Sequence, residues 1–309
     1  MEYRYATIFA LLGLMALANA TLADAVKGQG LETAMDDVKC KNDFTIGVID
    51  SIVTAVPDSS GTLDQYVDML GDDQSALQSF ADQADVDGFR GYVKGTYDPH
   101  LKSAREAVMG VRKGAKNVSN GSKGALVQEY KGLRTTYDAC HLEALKAHAR
   151  EKLDGYGKAI EAASGKADML KEKGVDTGEL EAVIDGAKSD VVDPLESAVD
   201  SATDAKGIHS ALQGHCLYNG CQDGKNYHFA ARFEVKKLDA VLGKLESDPR
   251  SGNASAEIAS AKGSLGFAQD VLDSNGPSHY SDSQYSSMWD SIKGAAQSIK
   301  EALAAMRSG

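Results

Sequence analysis

The sequence predicts an all-α protein, an elongated helical bundle or coiled-coil-like array of repeated antiparallel helical hairpins. Apolar residues recur at spacings of three and four, one such run lasts about thirty residues, and the alternation of a half-buried strand is almost absent. Helix-forming Ala, Leu, Lys, Glu and Gln supply the material for an ordered core. The expected division is residues 1–25 a signal peptide, 26–120 a first helical unit, 121–210 a second unit with a long helix, 211–228 a Cys/His loop and 229–309 a C-terminal helical hairpin.

The opening MEYRYATIFALLGLMALANATLADA has the shape of a secretory leader. Arg4 precedes an apolar run over 6–18, and both Ala18-Asn19-Ala20 and Ala23-Asp24-Ala25 give the small-x-small pattern of a cleavage site. Asn19 and Asp24 interrupt the run before it reaches the ~20 apolar residues of a membrane span. The ending EALAAMRSG resembles neither a lipid-exchange tail nor a retention signal. The expectation is a secreted, extracellular or cell-surface protein, periplasmic where the host has an outer membrane, with no span after cleavage.

Along the chain, 46–56 fits a helix with Val48, Ile49, Ile52, Val53 and Val56 inward. The segments DVDGF and TYDPHLKSAREAV, and later GVDTGEL and VVDPLESAV, pair an Asp cap after a Val with an Asp-Pro signature. Asp87 and Asp176 are the expected caps; Pro99 and Pro194 mark kinks or new helix starts capped by Asp98 and Asp193. With a third, more degraded copy, this suggests roughly three related units starting near Cys40, Cys140 and His228.

The clearest single helix covers about 141–173. Leu142, Leu145, Ala149, Leu153, Tyr156, Ile160, Ala163, Ala167 and Leu170 share one face, and its length is on the order of 45 Å. Gly174 can close it in the left-handed conformation. The next helix turns Leu180, Val183, Ala187 and Val191 inward. Near the C-terminus, Ile258, Ala261, Leu265, Ala268 and Leu272 form one stripe; Tyr285, Met288, Ile292, Ala295, Ile299, Ala302 and Met306 form another. Gly276 and Pro277 reverse the chain between them, and Ser281 with Gln284 makes a capping box. Gly155, Gly157, Gly186, Gly263, Gly266 and Gly294 lie inside helices, and the Ala-rich stripes suggest close packing there.

Four cysteines in an exported chain suggest two disulfides. Asn219-Gly220 can turn the chain between Cys216 and Cys221, leaving Cys40 for Cys140, one of three possible connectivities. Closing the long loop would then stabilise by on the order of 4 kcal/mol in the chain-entropy picture. The competing reading is a metal-binding or redox protein using the His209 to His228 loop, where His215, Cys216, Cys221 and His228 supply two thiolates and two imidazoles with His209 to spare. Disulfides suit an exported chain better, so no metal ligand or cofactor is assigned. Asp85, Asp87 and Gly88 echo a calcium loop, but Lys94 stands where the bidentate Glu is needed.

Motifs for zinc hydrolysis, an acyl-transfer nucleophile, phosphate binding or dinucleotide binding are absent from the sequence, and no catalytic residue is assigned. His100, His141, His148 and His279 sit among polar neighbours as surface residues. Asp36 with Asp37 and Asp72 with Asp73 are adjacent, so helical geometry points each pair apart. Trp289 neighbours the inward Met288. A further alternative is an enzyme with a site in the bundle core, assembled from residues such as inward carboxylates and His148 on facing helices. Asn117, Asn120 and Asn253 begin Asn-x-Ser triplets and are possible glycosylation sites.

The chain carries 45 acidic against 33 basic residues, net −12, with no basic-aromatic stretch to follow a phosphate backbone. Nucleic acid is therefore discounted. The functional expectation is an exported non-enzymatic helical scaffold or binding protein meeting a protein or cell-envelope partner.

Overall fold

The computed structural model describes residues 30–114 and 120–308; the expected leader lies outside them. The described chain is all-α. The helices are α1 (Gly30–Ala55), α2 (Ser60–Asp82), α3 (Val86–Tyr92), α4 (Asp98–Gly114), α5 (Asn120–Glu172), α6 (Gly178–Ala187), α7 (Asp193–Ser201), α8 (Ala205–Gly214), α9 (Phe229–Glu246), α10 (Ser255–Asn275) and α11 (Asp282–Ser308). β1 (His215–Cys216) and β2 (Lys225–Asn226) form a two-residue parallel pair. No helix of the described residues is long and apolar enough to cross a membrane.

Two compact units emerge. One holds the described residues up to Glu151 together with Ala202–Ile208; the other holds Lys152–Ser201 and the chain from His209 onward. In the first, α1, α2, α3 and α4 enclose a core of Leu31, Met35, Val38, Leu70, Leu77, Phe89, Tyr97, Leu101 and Ala104. The Cys40–Cys140 bridge ties α1 to α5 with Cα atoms 5.8 Å apart. Around it Thr33 bonds Glu151 at 3.0 Å, Phe44 packs on Tyr137, and Leu133 lies against Gly47, so the two helices run antiparallel. A β-carbon at Gly47 would come within 2.8 Å of Leu133, a close approach that glycine permits.

In the second unit α9 packs on α6, α10 and α11. The C-terminal stripes follow their spacing except at one end: Ile258, Ala261, Leu265, Ala268 and Leu272 on α10, and Met288, Ile292, Ala295, Ile299, Ala302 and Met306 on α11, are all buried, while Tyr285 in the first turn of α11 is half-buried. The contacts Ser260–Ser298 and Ser264–Gly294 fix this pair as antiparallel. The Ser281 amide donates to Gln284 and the Gln284 amide to the Ser281 hydroxyl, the reciprocal cap expected at the start of α11.

The Asp-Pro segments differ from expectation in an informative way. Asp98 and Asp193 do not cap new helices: both have helical dihedrals, and each follows a π-type turn, Val93–Tyr97 and Lys188–Val192. The Asp98 amide reaches back five residues to the Val93 carbonyl, and the Asp193 amide to Lys188. Proline has no amide and its ring crowds the carbonyl four residues back, so a widened turn just before Pro99 and Pro194 lets the helix continue past it. The turns before α3 and α6 are also alike, with Ala84 and Gly174 left-handed and the next amide bonded to the carbonyl five residues earlier, Asp85 to Phe80 and Val175 to Leu170. The cap of α3 is Asp85, which accepts from the Gly88 amide at 2.9 Å, rather than Asp87; at α6 the cap position is Thr177 rather than Asp176, and Asp176 one residue earlier accepts from the Gly178 amide at 3.1 Å.

The helix expected from about residue 141 starts at Asn120, because its first part buries little apolar surface and leaves Val127 and Tyr130 about half exposed, so no inward stripe announces it. Close packing does not explain most of the six glycines for which it is expected: Gly155, Gly157, Gly263 and Gly266 have nothing within 4 Å of a β-carbon position, Gly294 would meet Ser264 at an ordinary 3.6 Å, and of the six Gly186 alone is crowded, by the Tyr227 hydroxyl.

Candidate functional site

Chemistry-bearing side chains are densest where the Cys216–Cys221 loop meets the 276–281 linker. The Cys216–Cys221 bridge, Cα atoms 5.7 Å apart, closes a turn whose sulfurs are buried while Tyr218, Gly220, Gln222 and Asp223 face outward. Two asparagines hold this turn by imitating backbone. Asn226, 1% exposed, accepts from the Cys221 amide at 2.8 Å and donates to the Cys221 carbonyl at 2.7 Å. Asn219 accepts from the Tyr280 amide at 2.7 Å and donates to the Tyr280 carbonyl at 2.9 Å, tying loop to linker. A β-carbon at Gly224 would collide with the Gln213 carbonyl, so glycine is required there.

Beneath the linker, His228 is 2% exposed and left-handed at φ 56°. Its ring stacks on Tyr280 with centroids 4.0 Å apart and planes 3° from parallel, and its Nε2 lies 2.9 Å from the Ser278 carbonyl. Burial pulls the imidazole below the usual histidine range, with Arg232 and His279 adding to the effect and the Ser278 bond opposing it. Tyr227 donates to the Val183 carbonyl at 2.9 Å and carries the Arg232 guanidinium over its ring. Lys152 donates to the Leu212 carbonyl at 3.3 Å and approaches Cys216 Sγ at 3.8 Å; burial pulls its ammonium below the usual lysine range.

Between loop and linker lies an open depression of about 540 Å³, lined among others by His215, Gln222, Asp223, Lys225, Ser278 and His279. With one carboxylate, one ammonium, two imidazoles and an amide, it suits a polar partner group. It is not shaped like a metal centre: Cys216 and Cys221 bond each other, His228 is turned to Ser278, and His209 contacts Gln213 at the surface. Among the described residues no three His, Cys, Asp or Glu side chains gather as metal ligands.

The remaining histidines divide. His148 is exposed, as expected. His100 and His141 are more than surface residues: His100 Nδ1 lies 2.9 Å from Asp73, and His141 Nδ1 lies 2.6 Å from Asp37, whose other oxygen pairs with Lys41. Asp73 is buried while Asp72 is exposed, the divergence that adjacent helical positions impose. Trp289 is half-buried against Tyr285. Asn253 is exposed; Asn117 and the side chain of Asn120 lie outside the described residues.

Asn226, Lys152 and Tyr280 carry no motif in the sequence; Asn219 is legible there as a turn former, but not as the clamp on Tyr280. Tyr280 had one usable signal, a large apolar residue just before the Ser281 cap. No family model, curated protein or solved structure matches this chain.

Proposed function

We propose that this chain is an exported, non-enzymatic helical protein that serves as a scaffold or binding surface for a protein or cell-envelope partner, in the extracellular space or at the cell surface. The observation that carries the reading is the pairing of all four cysteines, Cys40 with Cys140 and Cys216 with Cys221. Such bridges persist where the surroundings are oxidising. The net charge of −12 favours solubility and a partner with basic groups. The depression beside the Cys216–Cys221 loop is the surface proposed for contact, because disulfide and asparagine clamps hold its walls in one shape before any partner arrives.

The test is intact mass on the chain recovered from its own host's secreted and cell-associated fractions, before and after reduction and alkylation. The reading expects external chain, shortened by cleavage after Ala20 or Ala25, with four cysteines that react only after reduction. A full-length chain inside the cell with reactive thiols would overturn it. Glycans on Asn253 would appear in the same spectrum.

A further inference from the structure

We propose that His228 is an acid-released pin: neutral, it locks Ser278 and the Tyr280 ring onto the start of α9, and protonated, it leaves its site, unstacks the Tyr280 ring and frees Ser278 and His279 in the wall of the depression.

The neutral lock rests on geometry. A carbonyl can only accept, so the 2.9 Å contact with Ser278 places a hydrogen on His228 Nε2 and leaves Nδ1 as a bare lone pair. That Nδ1 is buried and has no hydrogen-bond partner. A second proton must go to this nitrogen, where nothing accepts from it, in a residue 2% exposed. The ionisable groups around the pin offer no relief. Arg232, on the same helix, is cationic and spends its Nε on the Tyr227 carbonyl; His279, on the linker, offers no carboxylate and disfavours a charge on His228; Tyr280 is the stacked ring, a phenol that burial pushes above its usual range. Asp273 of α10 acts on Tyr280.

An imidazolium in this site is therefore unfavourable, and its exit to water is the available response. Exit breaks the Ser278 bond and the ring stack, and lets residue 228 leave the left-handed region that suits few side chains. The linker then keeps its Asn219 clamp and its Pro277 carbonyl bond to the Asn226 amide, so the change is local, at Ser278 to Tyr280. Ser278 and His279 line the depression, and acid would reshape whatever surface it presents.

Hydrogen exchange on the full chain, corrected for the intrinsic pH dependence of amide chemistry, tests the pin. Between pH 7.5 and 5 the amides of Ser278 and His279 should lose protection by up to about thirtyfold, the limit for one group that regains an ordinary histidine pKa of about 6.5 on opening, while the Tyr280 amide on Asn219 and the Ser281 amide on Gln284 keep theirs. In His228→Asn, which tolerates the left-handed backbone and cannot titrate, protection should not vary with pH. Equal pH dependence in wild type and variant overturns the proposal, as does wild-type protection that stays constant. If the variant fails to fold, the wild-type imidazole signal decides: proton uptake by His228 while the linker remains protected also overturns it.

Discussion

The Tyr92 hydroxyl donates to Asp73 Oδ1 at 2.8 Å, joining α3 to a carboxylate that α2 carries into the interior. His100 from α4 takes the other oxygen at 2.9 Å, so one buried charge gathers three helices. Removing it leaves two polar groups without their acceptor. Asp73→Ala should cost about 2–3 kcal/mol in urea unfolding, and Tyr92→Phe about 1 kcal/mol, because a bond to a charged acceptor exceeds the loss of one donor whose acceptor keeps its second partner. A fully neutral Asp73→Ala would sink this account of the first unit.

The two disulfides should differ in weight. A cross-link stabilises chiefly by restricting the unfolded chain, in proportion to the logarithm of the loop it closes. The 100-residue separation of Cys40 and Cys140 predicts a loss of about 4–5 kcal/mol on substitution by serine, against about 2 kcal/mol for the five-residue separation of Cys216 and Cys221. Thermal unfolding of the two double-serine variants measures the difference.

Helix glycines with open space around them are free to become alanine. Gly263→Ala and Gly266→Ala should each raise stability by up to about 1 kcal/mol, since each helix position gains a better former and loses no contact. Gly186→Ala should do the opposite. Its methyl would displace the Tyr227 hydroxyl from the Val183 carbonyl, costing about 1–3 kcal/mol. Midpoint shifts in a denaturant series read all three.

Alkali should unfold the protein through its tyrosines. Burial pushes the Tyr156 phenol up to about 12, and burial with the Asp73 carboxylate pushes Tyr92 up to about 12. An unfolded tyrosine ionises near pH 10, so the native chain holds the proton longer. The stability from this preference is complete below about pH 10 and is lost as pH rises toward 12. Absorbance at ~295 nm should show these phenols ionising together with the loss of helical circular dichroism; Tyr156→Phe should shift the transition to higher pH.

Acid acts from the other side. His228, held below the usual histidine range by burial, contributes fully above about pH 6.5, and that contribution is lost as pH falls from there through its native value. A wild-type melting temperature that declines from pH 6.5 to 5, set against a flatter profile in His228→Asn, checks the sign.

By itself the sequence determined whatever local spacing encodes. Stripes at 258–272 and 288–306, the Ser281–Gln284 cap, the left-handed Gly174 and the inward faces of α5 and α6 all follow from helical periodicity and cap chemistry, which act over a few residues. The cysteine pairing could be anticipated because a nearby Asn-Gly turn left one partner for Cys40. Tertiary structure decided what depends on distant partners. Asp73 is buried because Tyr92 and His100 reach it, Tyr97 because Asn42 accepts its hydroxyl at 2.9 Å, and the Asp-Pro segments run on as π turns because the helix can widen around a proline at less cost than breaking. The first part of α5 is helical without an inward stripe, since continuity with its own later turns suffices. His228, polar and unremarkable in sequence, becomes a buried left-handed pin only because Ser278 and Tyr280 are folded over it. Burial of a polar side chain is set by the partners the fold supplies, and no local pattern announces them.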